Sequence, residues 1–167
     1  MSDLYKEHLV KKEKTAADTF KRFALIGATV LLAAAGILIH PIILLAAVGM
    51  GIATYFLLPG TDLEYEYLLI GHSLDIDKVM AKTKRNRVKS FDLASADIIA
   101  PLNSHRMDYY NANTNIKTLD YSSGNPEHRR FAFIISDSGA TCRVIIEPDD
   151  EMTAMMRSSM PGKCFLD

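Results

Sequence analysis

From Phe23 to Leu58 no side chain carries a fixed charge. A helix on the surface of a soluble domain shows a polar face, so an unbroken apolar run of this length predicts membrane helices instead. As one helix it would measure about 54 Å at about 1.5 Å per residue, far longer than a hydrocarbon core of about 30 Å. His40-Pro41 divides the run, because proline lacks the N–H and disfavours helix at the residue before it. The pattern therefore predicts a transmembrane hairpin over residues 23–58, with helices over 23–39 and 42–58 and a stop at Pro59-Gly60. Upstream, Thr15-Ala16-Ala17-Asp18 has capping-box spacing and starts the first helix at Thr15. Residues 1–14 read as a mobile or surface-lying lead within a segment 1–22. Two other readings of the run are a cleaved signal peptide, with Ala33-Ala34-Ala35 as its small-residue site, and a shallow hairpin confined to one leaflet.

Beyond Gly60 continuous hydrophobicity gives way to alternation. Leu63, Tyr65, Tyr67 and Leu69 fall on one face and Glu64 and Glu66 on the other, the period of a half-buried strand. Gly71-His72-Ser73 turns the chain into a second strand, where Leu74 and Ile76 alternate with Asp75 and Asp77. Further strands are predicted over 88–93, 97–102, 116–121, 130–136 and 141–147, the last two joined at Asp137-Ser138-Gly139. Seven short strands with frequent turns point to a small sandwich or barrel spanning residues 63–167. A helix over 149–160 closes the chain: Asp149, Asp150 and Glu151 suit a helix N-terminus, Arg157 suits its C-terminus, and Pro161-Gly162 stops it.

Charge changes this picture in two ways. Residues 1–22 carry six basic and four acidic side chains, and residues 61–167 carry thirteen and sixteen, a balance that argues against a nucleic-acid partner. The six basic residues precede the apolar run, none lies in its turn, and the next is Lys78, so the positive-inside rule places both termini in the cytoplasm. The two cysteines, Cys142 and Cys164, show no CxxC spacing and fit a reducing compartment. Cys142 shares a strand face with Val144 and Ile146 and reads as a core thiol.

Seven strands followed by one helix is the element order of the pleckstrin-homology (PH) superfold. Leu63-Glu64-Tyr65-Glu66-Tyr67, the run Leu74 to Lys78, Lys84-Arg85-Asn86-Arg87-Val88 and Ser90-Phe91-Asp92-Leu93 together resemble an uncharacterised family of small two-helix membrane proteins of Gram-positive anaerobes. The resemblance covers most of the chain and implies an α+β membrane protein. Its N-terminal transmembrane helical hairpin is followed by a cytoplasmic PH-like seven-stranded β sandwich or barrel with a C-terminal helix, at a bacterial plasma membrane. It implies no activity, since fold alone does not carry function.

The densest chemical feature is basic: Lys78, Lys82, Lys84, Arg85, Arg87 and Lys89 fall within twelve residues that hold no acid. They read as a solvated hairpin tip, or as a surface for anionic headgroups or a partner, at about 1 kcal/mol per basic residue near a charged membrane. Met152, Met155 and Met156 form an i, i+3, i+4 stripe that either packs on the sheet or offers an adaptable surface to a protein partner. The polar stretch 103–115, with His105, Arg106, Tyr109 and Tyr110, reads as a crossover or a binding loop. Small residues at Ala24/Ala28, Ala47/Gly51 and Gly49/Ala53 suit close helix packing, within the hairpin or in a homodimer.

Catalytic and metal motifs are missing. Gly71-His72-Ser73 lacks the second glycine of a nucleophile elbow, and the five histidines show neither HxxxH nor HExxH spacing. The expectation is a noncatalytic, membrane-anchored interaction or scaffold module without cofactors, its partners being the lipid bilayer and a protein of unknown identity. The alternative is an anionic-lipid sensor using residues 78–89.

Overall fold

The structure, a computed structural model, describes residues 5–82, 84–137 and 139–167. It divides into two compact units. One comprises the chain up to Lys12 with Glu64–Lys78 and Arg85–Asp167, and the other Glu13–Leu63 with Val79–Lys84. In chain order the elements are strand β1 (Tyr5–Lys11), helices α1 (Ala16–Leu38) and α2 (Ile43–Leu57), and strands β2 (Leu63–Ile70), β3 (Ser73–Met80), β4 (Lys84–Asp92) and β5 (Ile98–Pro101). Then follow the short helix α3 (Asp108–Ala112), strands β6 (Lys117–Asp120), β7 (Phe131–Asp137) and β8 (Ala140–Ile146), and helix α4 (Asp150–Ser159).

The unit that carries α1 and α2 is a helical hairpin. Thr15 caps α1 as its sequence requires: its hydroxyl accepts from the Asp18 amide at 3.2 Å, and its own amide donates back to Asp18 Oδ2 at 3.2 Å. The turn at His40-Pro41 is closed by the Ile42 amide donating to His40 Nδ1 at 3.2 Å. Near it the helices meet at Gly36, where a Cβ would stand 2.6 Å from Leu44 Cδ2, so only glycine fits. At mid-length Thr29 Oγ1 donates to the Leu25 carbonyl at 2.8 Å and lies 3.0 Å from Thr54 Oγ1, a polar tie of the kind that holds helices where apolar surface supplies no preference. Ala47 is buried and Gly51 faces Thr29, so this small pair serves the hairpin itself, whereas a Cβ at Gly49 would meet open space.

Two helical spans, Ala16–Leu38 and Ile43–Thr61, the second being α2 with the 3-10 turn that continues it, are long and apolar enough to cross a membrane, and only 6% of the apolar window of either is buried. Phe20, Phe23, Leu31, Ile37, Leu38, Leu45, Tyr55 and Phe56 are all exposed. Each such side chain taken out of water gains about 1.5–3 kcal/mol.

The other unit holds two four-stranded sheets, ordered β1-β2-β3-β4 and β5-β7-β8-β6. β6 runs parallel to β8, while β5–β7, β7–β8 and β1–β2 are antiparallel. The sheets are joined across a core by Phe91 edge-on to Phe133 at 5.2 Å and by Tyr67, whose hydroxyl donates to the Tyr121 carbonyl at 2.6 Å and accepts from the Glu147 amide at 3.3 Å. Burial pushes the Tyr67 phenol well above its ordinary pKa. At its centre the second sheet is buried on both faces, and Phe131 through Ile135 of β7 are all enclosed. Its other face is covered by Met107 and Tyr110 of the 103–115 stretch and by Phe165.

Two expectations are corrected here. Tyr5–Lys11, read as part of a mobile or surface-lying lead, is an edge strand paired over its length with β2, from Tyr5 opposite Ile70 to Lys11 opposite Glu64. The described residues therefore hold eight strands rather than seven, and α1 and α2 are an insertion between two adjacent antiparallel strands. β4 begins at Lys84 rather than Val88, which draws Arg85 and Arg87 from the expected hairpin tip into the sheet. Of the turn expected at Asp137-Ser138-Gly139, Ser138 lies outside the described residues, and Gly139 takes a left-handed φ of +84°.

Candidate functional site

β4 is an edge strand with mostly exposed side chains, yet three of its four cations are not free. Arg85 Nη2 stands 2.6 Å from both carboxylate oxygens of Glu66, a β2 residue that is buried. Arg87 Nη2 lies 3.0 Å from Asp75, and its Nε lies 3.5 Å from Asp77, both on β3. Lys89 pairs with Asp137 and stands over the Phe91 ring. The alternation that put Glu66, Asp75 and Asp77 on the polar face of their strands thus supplies the acids that meet Arg85 and Arg87.

Three basic residues remain: Lys78 is half-buried, Lys82 and Lys84 are exposed, and among the described residues none of the three pairs with a carboxylate. Lys82 and Ala81 both adopt left-handed φ, +60° and +48°, a conformation that costs a side chain with a Cβ about 1–2 kcal/mol.

Glu66 sits at the centre of this network. Burial and a hydrogen bond with Glu7 of β1 hold its carboxyl above the ordinary range, against the pull of Arg85. The same hydrogen bond, with one from Tyr5, holds Glu7 below it, so the contact favours the proton on the buried carboxyl and the charge on the open one.

The methionine stripe belongs to the core. Met152 and Met156 are fully buried and Met155 half-buried, which corrects its reading as a partner surface. It lies there because α4 is fixed at its start. Asp149 caps it by accepting from the Met152 amide at 2.7 Å, and Lys6 of β1 pairs with Asp149 at 3.3 Å and with Glu151. Burial opposes ionisation of Asp149, but the amide and Lys6 outweigh it and hold the carboxyl below its usual range.

The feature that sequence reasoning missed is a cleft of about 840 Å³ between the turn after β5 and the segment leading into β7. His105 and Arg106 border one side, His128, Arg129 and Arg130 the other, and Leu166 and Asp167 close it. Of these only His105 and Arg106 stood out in the sequence, as part of the 103–115 stretch. The rest come from parts of the chain with no common pattern.

Beside the cleft, Ser123, His128 and Glu147 form a cluster. Ser123 Oγ donates to Glu147 Oε2 at 2.6 Å, and His128 Nδ1 stands 2.7 Å from Glu147 Oε1 and 3.3 Å from Ser123 Oγ. The imidazole meets Glu147 and Ser123 through Nδ1, and its Nε2 lies 3.4 Å from Asn125 Nδ2 rather than at the serine, so the serine is not aligned with a relaying base. The cluster fixes the loop before β7. Among the described residues no three His, Cys, Asp or Glu side chains gather as a metal site.

A family model described as Bacterial PH-like domain (DUF6106) matches residues 2–166. No curated protein and no solved structure matches the chain.

Proposed function

The chain belongs to the bacterial PH-like domain family, and from that premise we propose that it is a noncatalytic interaction or scaffold module, held at the cytoplasmic face of the bacterial plasma membrane by α1 and α2. The observation that carries this reading is the place of the helical hairpin in the chain. It leaves the first sheet at Lys11 and returns at Glu64, and these two residues are opposite one another in the β1–β2 ladder. A segment whose two ends are pinned together must enter and leave the bilayer from one side, which agrees with the orientation drawn from the basic residues.

Support for an interaction role comes from the domain's edge strands, β1 and β4 in the first sheet. The lipid-sensing alternative through residues 78–89 has less support, because Arg85, Arg87 and Lys89 are already engaged by acids. Homodimerisation through the open side of Gly49 is a further form of the same module.

Joining Lys11 to Glu64 through Asn-Gly removes the hairpin and keeps the register, since a two-residue loop suits an antiparallel pair. This variant is expected in the soluble fraction, with the intact chain resisting carbonate extraction; an intact chain released by carbonate rejects the anchor. Crosslinking in native cells is expected to trap a discrete protein partner, and its absence rejects the scaffold role.

A further inference from the structure

In the cleft of about 840 Å³ two of the three arginines, Arg106 and Arg129, rest mainly on aromatic rings and a backbone carbonyl. The Arg106 guanidinium stacks 4.0 Å from the Phe165 ring centre. Arg129 stands over Phe131 at 5.1 Å and donates to the Leu166 carbonyl at 2.6 Å. Arg130 is half-buried; its carbonyl accepts from the Leu102 amide at 2.8 Å, while its guanidinium has no hydrogen-bond or ion-pair partner among the described residues. The acids nearby leave this charge open. Glu147 is taken by His128 and Asp108 by His105. Glu127 lines the cleft without an ion pair among the described residues, and Asp167 makes only a loose contact, its Oδ1 3.6 Å from Arg106 Nε, from a side chain 77% exposed. An exposed carboxylate resting beside Arg106 occupies the place an incoming anion would take.

The size falls within the range of small-molecule sites, about 300–1,000 Å³. Guanidinium groups present fixed forks of donors that match carboxylate and phosphate oxygens. Three of them around one space exceed what a single carboxylate satisfies, whereas a phosphate monoester brings close to two negative charges and three acceptor oxygens.

We propose that this cleft binds a ligand through a phosphate group, with Arg130 as the principal donor and Arg106 and Arg129 beside it. The phosphate belongs either to a soluble ester or to a lipid headgroup. The site goes beyond the scaffold reading and does not rest on it.

The test uses the full chain in detergent micelles. One arm titrates inorganic pyrophosphate by calorimetry. The other counts bound phosphatidic acid against phosphatidylcholine by native mass spectrometry. Saturable binding is expected in at least one arm, weakened at least tenfold by Arg130→Gln and by Arg106→Gln, less by Arg130→Lys, and unchanged by Lys84→Gln. Pyrophosphate binding identifies a soluble source, and preference for phosphatidic acid alone identifies a headgroup. Circular dichroism establishes that each variant is folded, and Arg106→Gln carries the test if Arg130→Gln is not. Absence of binding in both arms, or binding that survives both glutamine variants, overturns the proposal.

Discussion

Two regions of the domain are rich in arginine and differ in what surrounds them. In β4 the cations are dense in sequence, and Arg85 and Arg87 are met by carboxylates one or two strands away. In the cleft the cations are scattered along the chain, and two of them rest on aromatic rings and a carbonyl instead. Density of charge along a sequence therefore says little about charge available to a ligand. What decides it is whether the neighbouring strand, in register, presents acids or apolar groups. β2 and β3 carry acids on the face that β4 shares, and the segments around the cleft carry Phe131, Phe165 and backbone.

The strongest way to break this comparison is to remove one arginine from each region. Arg85→Gln leaves the buried Glu66 carboxylate without its cation, and stranding a buried polar group costs about 1–3 kcal/mol. Arg130→Gln removes a guanidinium that pairs with nothing among the described residues, and its stability is expected within about 0.5 kcal/mol of the parent. Denaturant titration of the full chain in micelles measures both. Equal losses would erase the distinction.

A smaller effect follows from the contact between Glu7 and Glu66. Glu66 has a raised folded pKa, so its contribution to stability is fully present below the ordinary glutamate value of 4.5 and is lost as pH rises through the raised value. Glutamine mimics the protonated acid and still donates to Glu7. The stability of Glu66→Gln relative to the parent is therefore expected to improve between pH 4 and pH 7. A difference that stays flat, or runs the other way, would mean that Arg85 outweighs burial and Glu7 at this position.

These contrasts also separate what was legible in the sequence from what was not. The helical hairpin and α4 were legible because their signals are local: Pro41 interrupts an apolar run, Thr15 and Asp18 are three residues apart, and Asp149 precedes a periodic stripe. β1 was not, because Lys6, Glu7, His8 and Lys11 hide its alternation and its partner strand lies beyond the whole hairpin. The period of Met152, Met155 and Met156 was visible, but the surface it packs on was not, nor that Lys6 of β1 would reach Asp149 and Glu151 at the start of α4. Of the cleft only His105 and Arg106 were legible, since it joins residues near positions 105, 129 and 166 that only the fold brings together.

Arg87 gives an intermediate case. It is 60% exposed, and its two acids, Asp75 and Asp77, are less buried than Glu66. Exposed ion pairs are worth about 0–1 kcal/mol because water and salt screen them. Arg87→Gln is expected to cost less than Arg85→Gln, and the loss should shrink in high salt. A loss matching that of Arg85 would show that the whole acidic face, rather than Glu66 alone, depends on its cations.

The smallest effect is the most discriminating for the basic run as a surface. Lys84 is exposed and pairs with no carboxylate among the described residues, so it is the cation of β4 that a ligand would find unengaged. If the run does no more than balance its own sheet, Lys84→Gln changes stability by less than about 0.5 kcal/mol and leaves binding to anionic vesicles unaltered at any salt concentration. If instead the run meets lipid headgroups, this substitution removes about 1 kcal/mol of attraction, and the loss disappears as salt screens it. A salt-dependent loss at Lys84, with none at Arg130, would reverse the assignment of the two regions and make the dense cluster the functional one.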